Sequence, residues 1–189
     1  MDVETAARER RSIRRYQQTP VPVQTLYDLA DVGRLYASVE NLQPIGFAVV
    51  SQKANTDAVF ESLNWAMYLK DFRIEPEHRP PAYLLLLTEG RKDAAFDAGG
   101  AAATVMLAAK ACGLDTCCLG IARSESLRNH LDLTEPWVPA YAIAVGFGAQ
   151  KSRAVPFEGA VQYWLDENGD FCVPKKSLND VLIFADVRP

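Results

Sequence analysis

The sequence predicts an α+β domain, a central sheet of four or five strands flanked by helices. Three observations carry that expectation. Four apolar runs bounded by turn residues, at 46–51, 82–88, 116–121 and 139–148, read as strands. Longer stretches before and between them carry apolar residues at helical spacing, at 23–36, 54–69 and 93–112. The 189 residues are 49% hydrophobic and 23% charged, enough for one domain with an ordinary core.

A first helix over 3–8 leads straight into a basic stretch. Thr19-Pro20-Val21-Pro22 then breaks the chain, because each proline fixes φ and removes a donor. Leu26, Leu29, Ala30, Val32 and Gly33 give the helix at 23–36 its stripe. Residues 37–44 form a loop. The strand at 46–51 is continuously apolar and so reads as central. The helix at 54–69 ends in an aromatic-rich patch of Trp65, Met67, Tyr68 and Phe72, either core or the wall of a site for a flat substrate. The polar, proline-rich residues 73–81, with His78, form a candidate lid.

After the strand at 82–88, a turn at 89–92 is followed by Asp93 as the cap of a long helix. That helix is apolar nearly all round, as in an element buried on all sides. Gly99 and Gly100 in its middle point to a close neighbour, since interior glycine costs a helix about 0.5–1 kcal/mol. Gly113 ends it. Ser124 caps a short helix at 125–131 with Arg128 and His130 exposed. The strand at 139–148 ends in a glycine-rich turn, followed by the basic loop Lys151-Ser152-Arg153. Asn168-Gly169 between two apolar runs marks a hairpin. Residues 178–184 are apolar enough to dock onto another surface.

Several function classes are excluded or disfavoured. The net charge of −4 weakens a nucleic-acid role. No apolar run approaches the roughly 20 residues of a membrane span. Met1-Asp2-Val3-Glu4 lacks a signal-peptide core, so the expected location is the cytoplasm. Cys112, Cys117, Cys118 and Cys172 show no C-x-x-C pair and no zinc-like spacing to His78 or His130, and read as buried structural thiols. No G-x-G-x-x-G follows the first strand, and neither a P-loop nor a G-x-S-x-G elbow occurs.

The chemistry concentrates in Arg10-Arg11-Ser12-Ile13-Arg14-Arg15-Tyr16, where four of seven residues are arginines in an acidic chain. Arginine stays ionised and offers a planar fork of donors that suits phosphate. In an extended segment, alternation puts Arg10, Ser12 and Arg14 on one side, while Ile13 and Tyr16 tie the segment to the body. A solvated charge run is the alternative reading. In the loop at 37–44, Ser38, Asn41 and Gln43 offer donors and acceptors that suit the edge of a heterocycle, or simply stabilise turns.

The arginine stretch resembles the opening motif of the nitroreductase family of FMN-dependent oxidoreductases. Three further stretches fall where that family has them: residues 37–44, 113–120 and 138–148. The resemblance implies a mostly antiparallel central sheet and a long central helix at the interface of an obligate homodimer, with flavins at the subunit junction. It implies that Arg10, Arg11 and Ser12 hold the FMN phosphate and that Arg14 contacts the ribityl chain or ring. Ser38, Asn41 and Gln43 would hold the ring edge. Backbone amides near Leu119 and Gly120 would face its reactive edge, and Arg153 would return to the phosphate. Glu40 stands where the family often has glycine, and Ile45 where an aromatic is common. Ile121-Ala122-Arg123 replaces a Pro-x-Glu-Gly stretch, as in a shorter branch of the family.

The resemblance further implies ping-pong transfer of hydride from NADH or NADPH through FMN to an electron-poor small molecule such as a nitroaromatic or quinone. A specialised dehydrogenase or dehalogenase-type relative acting on a dedicated metabolite remains open, as does a non-enzymatic FMN-binding module. No nucleic-acid, membrane or metal partner is expected, and the flavin rather than a side chain would carry the chemistry.

Overall fold

A computed structural model describes residues 1–89 and 94–186. The helices are α1 (Val3–Glu9), α2 (Val23–Gly33), α3 (Lys53–Glu61), α4 (Ala94–Ala111), α5 (Ser124–His130) and α6 (Leu178–Val181). The strands are β1 (Ile45–Val50), β2 (Ala82–Thr88), β3 (Asp115–Gly120), β4 (Val138–Gly146), β5 (Ser152–Pro156), β6 (Trp164–Leu165) and β7 (Phe171–Lys175).

Four strands form an antiparallel sheet in the order β1-β2-β4-β3, pairing Phe47 with Leu86, Leu84 with Ile143 and Cys117 with Ala144. Strand β1 thus lies at an edge and not at the centre that its apolar run predicts; its apolar side chains serve the packing of both sheet faces. Every residue of β2 is buried, which explains its unbroken apolar run: both faces of the sheet are covered. Leu84, Leu86, Ile143 and Val145 pack on one face with residues of α2 and α4. Tyr83, Leu85, Ala142 and Ala144 pack on the other with Ile13, Tyr16, Val59, Leu63 and Leu127. Gly33 lets α2 settle onto α4, since a Cβ there would lie 2.6 Å from Val105 Cγ2.

Helix α4 departs from the expectation of burial on all sides. Ala98, Ala101, Ala102, Val105 and Ala109 are buried, whereas Ala95, Phe96, Gly99 and Ala103 face outward in the single chain. The two glycines therefore differ. A Cβ on Gly100 would sit 3.2 Å from Tyr36 Cδ2, while one on Gly99 would meet nothing within 4 Å. The turn at 90–92 and the Asp93 cap lie outside the described residues.

Helix α3 stops at Glu61, short of the predicted 69. Leu63 leaves to form a bridge with Ile121, the Ala122 amide donates to the Ser62 carbonyl (3.0 Å), and Ala66 takes a left-handed φ of 46°. Sheet contacts thus override helical spacing. Helix α2 likewise ends at Gly33, three residues early.

The predicted hairpin is β6 and β7, with Gly169 at φ 77° and Asp166 Oδ1 accepting the amides of Asn168 and Asp170, both at 3.0 Å. The expected basic loop is instead β5, which pairs parallel with β7 to make a second sheet in the order β5-β7-β6. Two surface expectations also change. Cys112 is exposed rather than buried, and Arg128 is half-buried between Glu125 and Glu135.

The candidate lid is tied down along its length. The His78 carbonyl accepts the Tyr16 amide at 2.9 Å, the Arg79 carbonyl accepts from Gln18 at 2.9 Å, and Ile74 and Pro80 are buried. Among the described residues, no helix is long and apolar enough to cross a membrane.

Candidate functional site

The arginine stretch runs extended beside β3. Ser12 bridges Thr116 in parallel, the Ile13 amide donates to the Thr116 carbonyl (3.0 Å), and Tyr16 bridges Gly148. Gln150 Oε1 accepts the amides of both Arg14 (3.1 Å) and Arg15 (2.7 Å). Ile13 and Tyr16 are buried as predicted, and the Tyr16 hydroxyl donates to the Ile13 carbonyl at 2.6 Å. The segment is therefore held on both sides, which fixes where its alternate side chains point.

Ser12 and Arg14 share one cleft of about 470 Å³ with Leu119, Gly120, Asn64 and Tyr163. Arg14 is only 8% exposed, yet among the described residues its Nε and Nη1 have no hydrogen-bond partner. Its guanidinium lies 4.7 Å from the ring centres of Tyr163 and Phe171. The buried Thr116 hydroxyl likewise has no partner among the described residues. A Cβ on Gly120 would meet no atom within 4 Å, so the chain's own packing does not demand glycine there.

Arg10 is half-buried, and its charge opposes the upward shift of the Cys117 and Cys118 thiols. That shift is led by burial, which pushes Cys118 up to about 11, so both thiols stay neutral near pH 7. Arg11 turns away, donating to the carbonyls of Arg10 and Arg8 at the end of α1. Burial, then the Arg10 charge, moves the Arg11 guanidinium down from its ordinary value.

The loop residues sit elsewhere in the single chain. Ser38 Oγ accepts the Gln43 amide (3.1 Å), Gln43 Nε2 donates to the Asn41 carbonyl (3.3 Å), and Asp97 on α4 accepts the Val39 amide (3.0 Å). None of Ser38, Asn41 and Gln43 lines the cleft of Ser12 and Arg14. Glu40 adopts φ 50°, a left-handed conformation that glycine takes without strain. Arg153 is exposed on β5 and paired with Asp166 at 2.7 Å, also away from that cleft.

Sequence reasoning did not single out Asn64 or Tyr163. The one signal for Asn64 was a short polar residue inside an apolar stretch. Tyr163 reaches the cleft only because β5, β6 and β7 fold back against it. Met67 and Tyr68, from the aromatic-rich patch, do line the cleft, while Phe72 is core. A larger hollow of about 800 Å³ lies across the 64–67 turn, lined by Phe60, Trp65 and Arg79. It includes no residue of the arginine stretch.

Residues 7–79 and 78–147 match the Nitroreductase family, which is most of the chain. The chain belongs to that family. A Bacillus subtilis (strain 168) protein provisionally named NAD(P)H nitroreductase YodC is 37% identical over 78 residues. That match covers 39% of this chain and spans 38% of the relative's length. A Parabacteroides distasonis ATCC 8503 structure, provisionally named NADH dehydrogenase/NAD(P)H nitroreductase, superposes with a TM-score of 0.69 at 22% identity, covering 98% of each chain. An FMN-dependent nitroreductase from Clostridium difficile R20291 superposes with a TM-score of 0.63 at 19% identity, over 78% of this chain and 88% of that one. At such identities the two structures speak for the fold, which is the nitroreductase fold.

Proposed function

We propose that this nitroreductase-family chain is an oxidoreductase that binds FMN in the cleft of Ser12 and Arg14 and is reduced there by NADH or NADPH. The observation that carries the reading is Arg14: a largely buried cation that lines a cleft of ligand size and whose Nε and Nη1 have no hydrogen-bond partner among the described residues. An unmet buried donor is costly, and an anionic or carbonyl-bearing ligand would satisfy it. The names of the Bacillus and Clostridium relatives support a nicotinamide donor and FMN respectively.

The residues fit such a ligand. Ser12 would hold its phosphate together with Arg10, which does not line the cleft but whose charge reaches the Cys118 thiol that does, and Arg14 would stabilise negative charge on the ring system. Open space at Gly120 leaves the β3 backbone accessible to a flat ring. Bound there, FMN would supply hydride transfer in ping-pong order, from NAD(P)H to an electron-poor acceptor such as a nitroaromatic or quinone.

The reading includes a homodimer. Ser38, Asn41 and Gln43 do not reach their own chain's cleft, and their loop is tied by Asp97 to α4. The outward face of α4 is apolar, with Phe96 73% exposed, and Leu182, Ile183 and Phe184 near the end of the chain are also exposed. A second copy covering these surfaces would bring the loop to the neighbouring cleft, where its polar groups would hold the ring edge. In that arrangement Arg153 acts on the hairpin rather than on the phosphate.

The visible absorption spectrum of the purified protein, with the released chromophore identified by chromatography, tests the reading. Bound FMN, and NAD(P)H consumption with a nitroaromatic or quinone, are expected. A colourless protein that also takes up no added FMN overturns it.

A further inference from the structure

We infer that Tyr163 is a positioning residue for Arg14, through which the small C-terminal sheet sets the strength of the cation in the cleft. The inference rests on the flavin reading above. Tyr163 and Phe171 lie outside the 7–147 stretch that matches the family, whereas Arg14 lies within it.

Four rings form a continuous run. Tyr68 meets Tyr163 edge-on at 5.0 Å, Tyr163 lies 5.6 Å from Phe171, and Phe171 meets Phe72 at 5.4 Å. The two consecutive arginines both lie on this run. Arg14 sits 4.7 Å from both Tyr163 and Phe171, and Arg15 sits 4.8 Å from Phe72. Arg15 has a second hold, a hydrogen bond to the Arg73 carbonyl at 3.0 Å. Among the described residues Arg14 has no such hold at Nε or Nη1, so the two rings are the contacts seen to hold its guanidinium.

Tyr163 and Phe171 differ in role. Phe171 is fully buried in the cluster that joins β7 to residues 66–74, and it anchors the sheet. Tyr163 is half-buried and also lines the cleft, so it meets Arg14 on the ligand side. Removing its ring would free the guanidinium to turn towards water and would weaken its field at the ligand. An aromatic ring of either kind keeps the clamp. An aliphatic side chain of similar volume does not.

The test uses full-length protein freed of flavin and titrated with FMN by fluorescence quenching, together with the midpoint potential of the reloaded protein. Tyr163→Leu is expected to weaken FMN binding about tenfold and to shift the potential to more negative values, while Tyr163→Phe stays within about twofold of the parent. In an Arg14→Gln background, Tyr163→Leu is expected to add no further loss. Tyr163→Met repeats the test should the leucine variant melt early. If the parent binds FMN and the leucine and methionine variants match it in affinity and potential, the positioning role fails while the flavin reading stands. An equal loss in both backgrounds also overturns the inference, because Tyr163 would then act without Arg14. A parent that takes up no FMN overturns the flavin reading and this inference together.

Discussion

Arg10, Ser12 and Arg14 show what charge and a short hydroxyl on one extended segment can do. Alternation along an extended segment is enough to put Ser12 and Arg14 into one cleft, and the structure agrees, with Ile13 buried between them in the chain. Arg10→Ala removes a charge-assisted contact to the proposed phosphate, a loss of about 1.5–3 kcal/mol, or roughly 10- to 100-fold in FMN affinity. Fluorescence titration checks this, and undiminished affinity would place the phosphate elsewhere. Arg11 was not separable from Arg10 by residue type. Alternation sets them on opposite sides, and the return of the Arg11 guanidinium to the carbonyls of Arg8 and Arg10 agrees with that. Asn64 was hidden for a related reason: a single asparagine in a helical pattern carries no mark of where the helix will stop.

At the scale of elements, local chemistry and tertiary contact part company. Asn168-Gly169 announced its turn because the left-handed φ of 77° at Gly169 is a local demand. Gly169→Ala should destabilise the protein by about 1–2 kcal/mol from backbone strain, since its Cβ would otherwise meet open space. Urea unfolding measures this, and an unchanged midpoint would remove the strain argument. The pairing of β5 with β7 had no local signal, because parallel neighbours need not be adjacent in sequence. For α4, composition alone could not say which face the chain itself covers. Gly99→Arg adds a side chain to an open face, so the chain should still fold but no longer self-associate. Light scattering is expected to show a monomer, and the loop carrying Ser38 would then be lost to the neighbouring cleft. A variant that stays dimeric would move the interface off this face.

Over the whole molecule, burial has an electrostatic consequence. Burial pushes Tyr16, Tyr83, Cys117 and Cys118 up, Cys118 to about 11. Unfolded thiols and phenols lose protons near their ordinary values of 9.0 and 10.0. Above about pH 9 the unfolded chain therefore holds fewer protons than the folded one, and stability must fall as pH rises. This contribution is fully present below about pH 9 and is lost through the folded values above it. Melting temperature followed from about pH 7.5 to 10.5 should decline in the upper half of that range. A flat profile would contradict the burial of these four groups.

The sequence by itself determined the α+β class, the four strands of the main sheet though not their order, the long helix and the arginine segment with its anchors Ile13 and Tyr16. Those features rest on period, turn chemistry and charge, which neighbours along the chain decide. The tertiary structure decided the rest. It ended α3 at Glu61 because Leu63 is taken by the end of β3, and it separated Arg11 and Arg153 from the cleft by giving each another acceptor. It also brought Tyr163, about 150 residues along the chain, onto Arg14. Contacts between distant segments depend on which surfaces remain uncovered once the sheet has formed, and no local pattern records that.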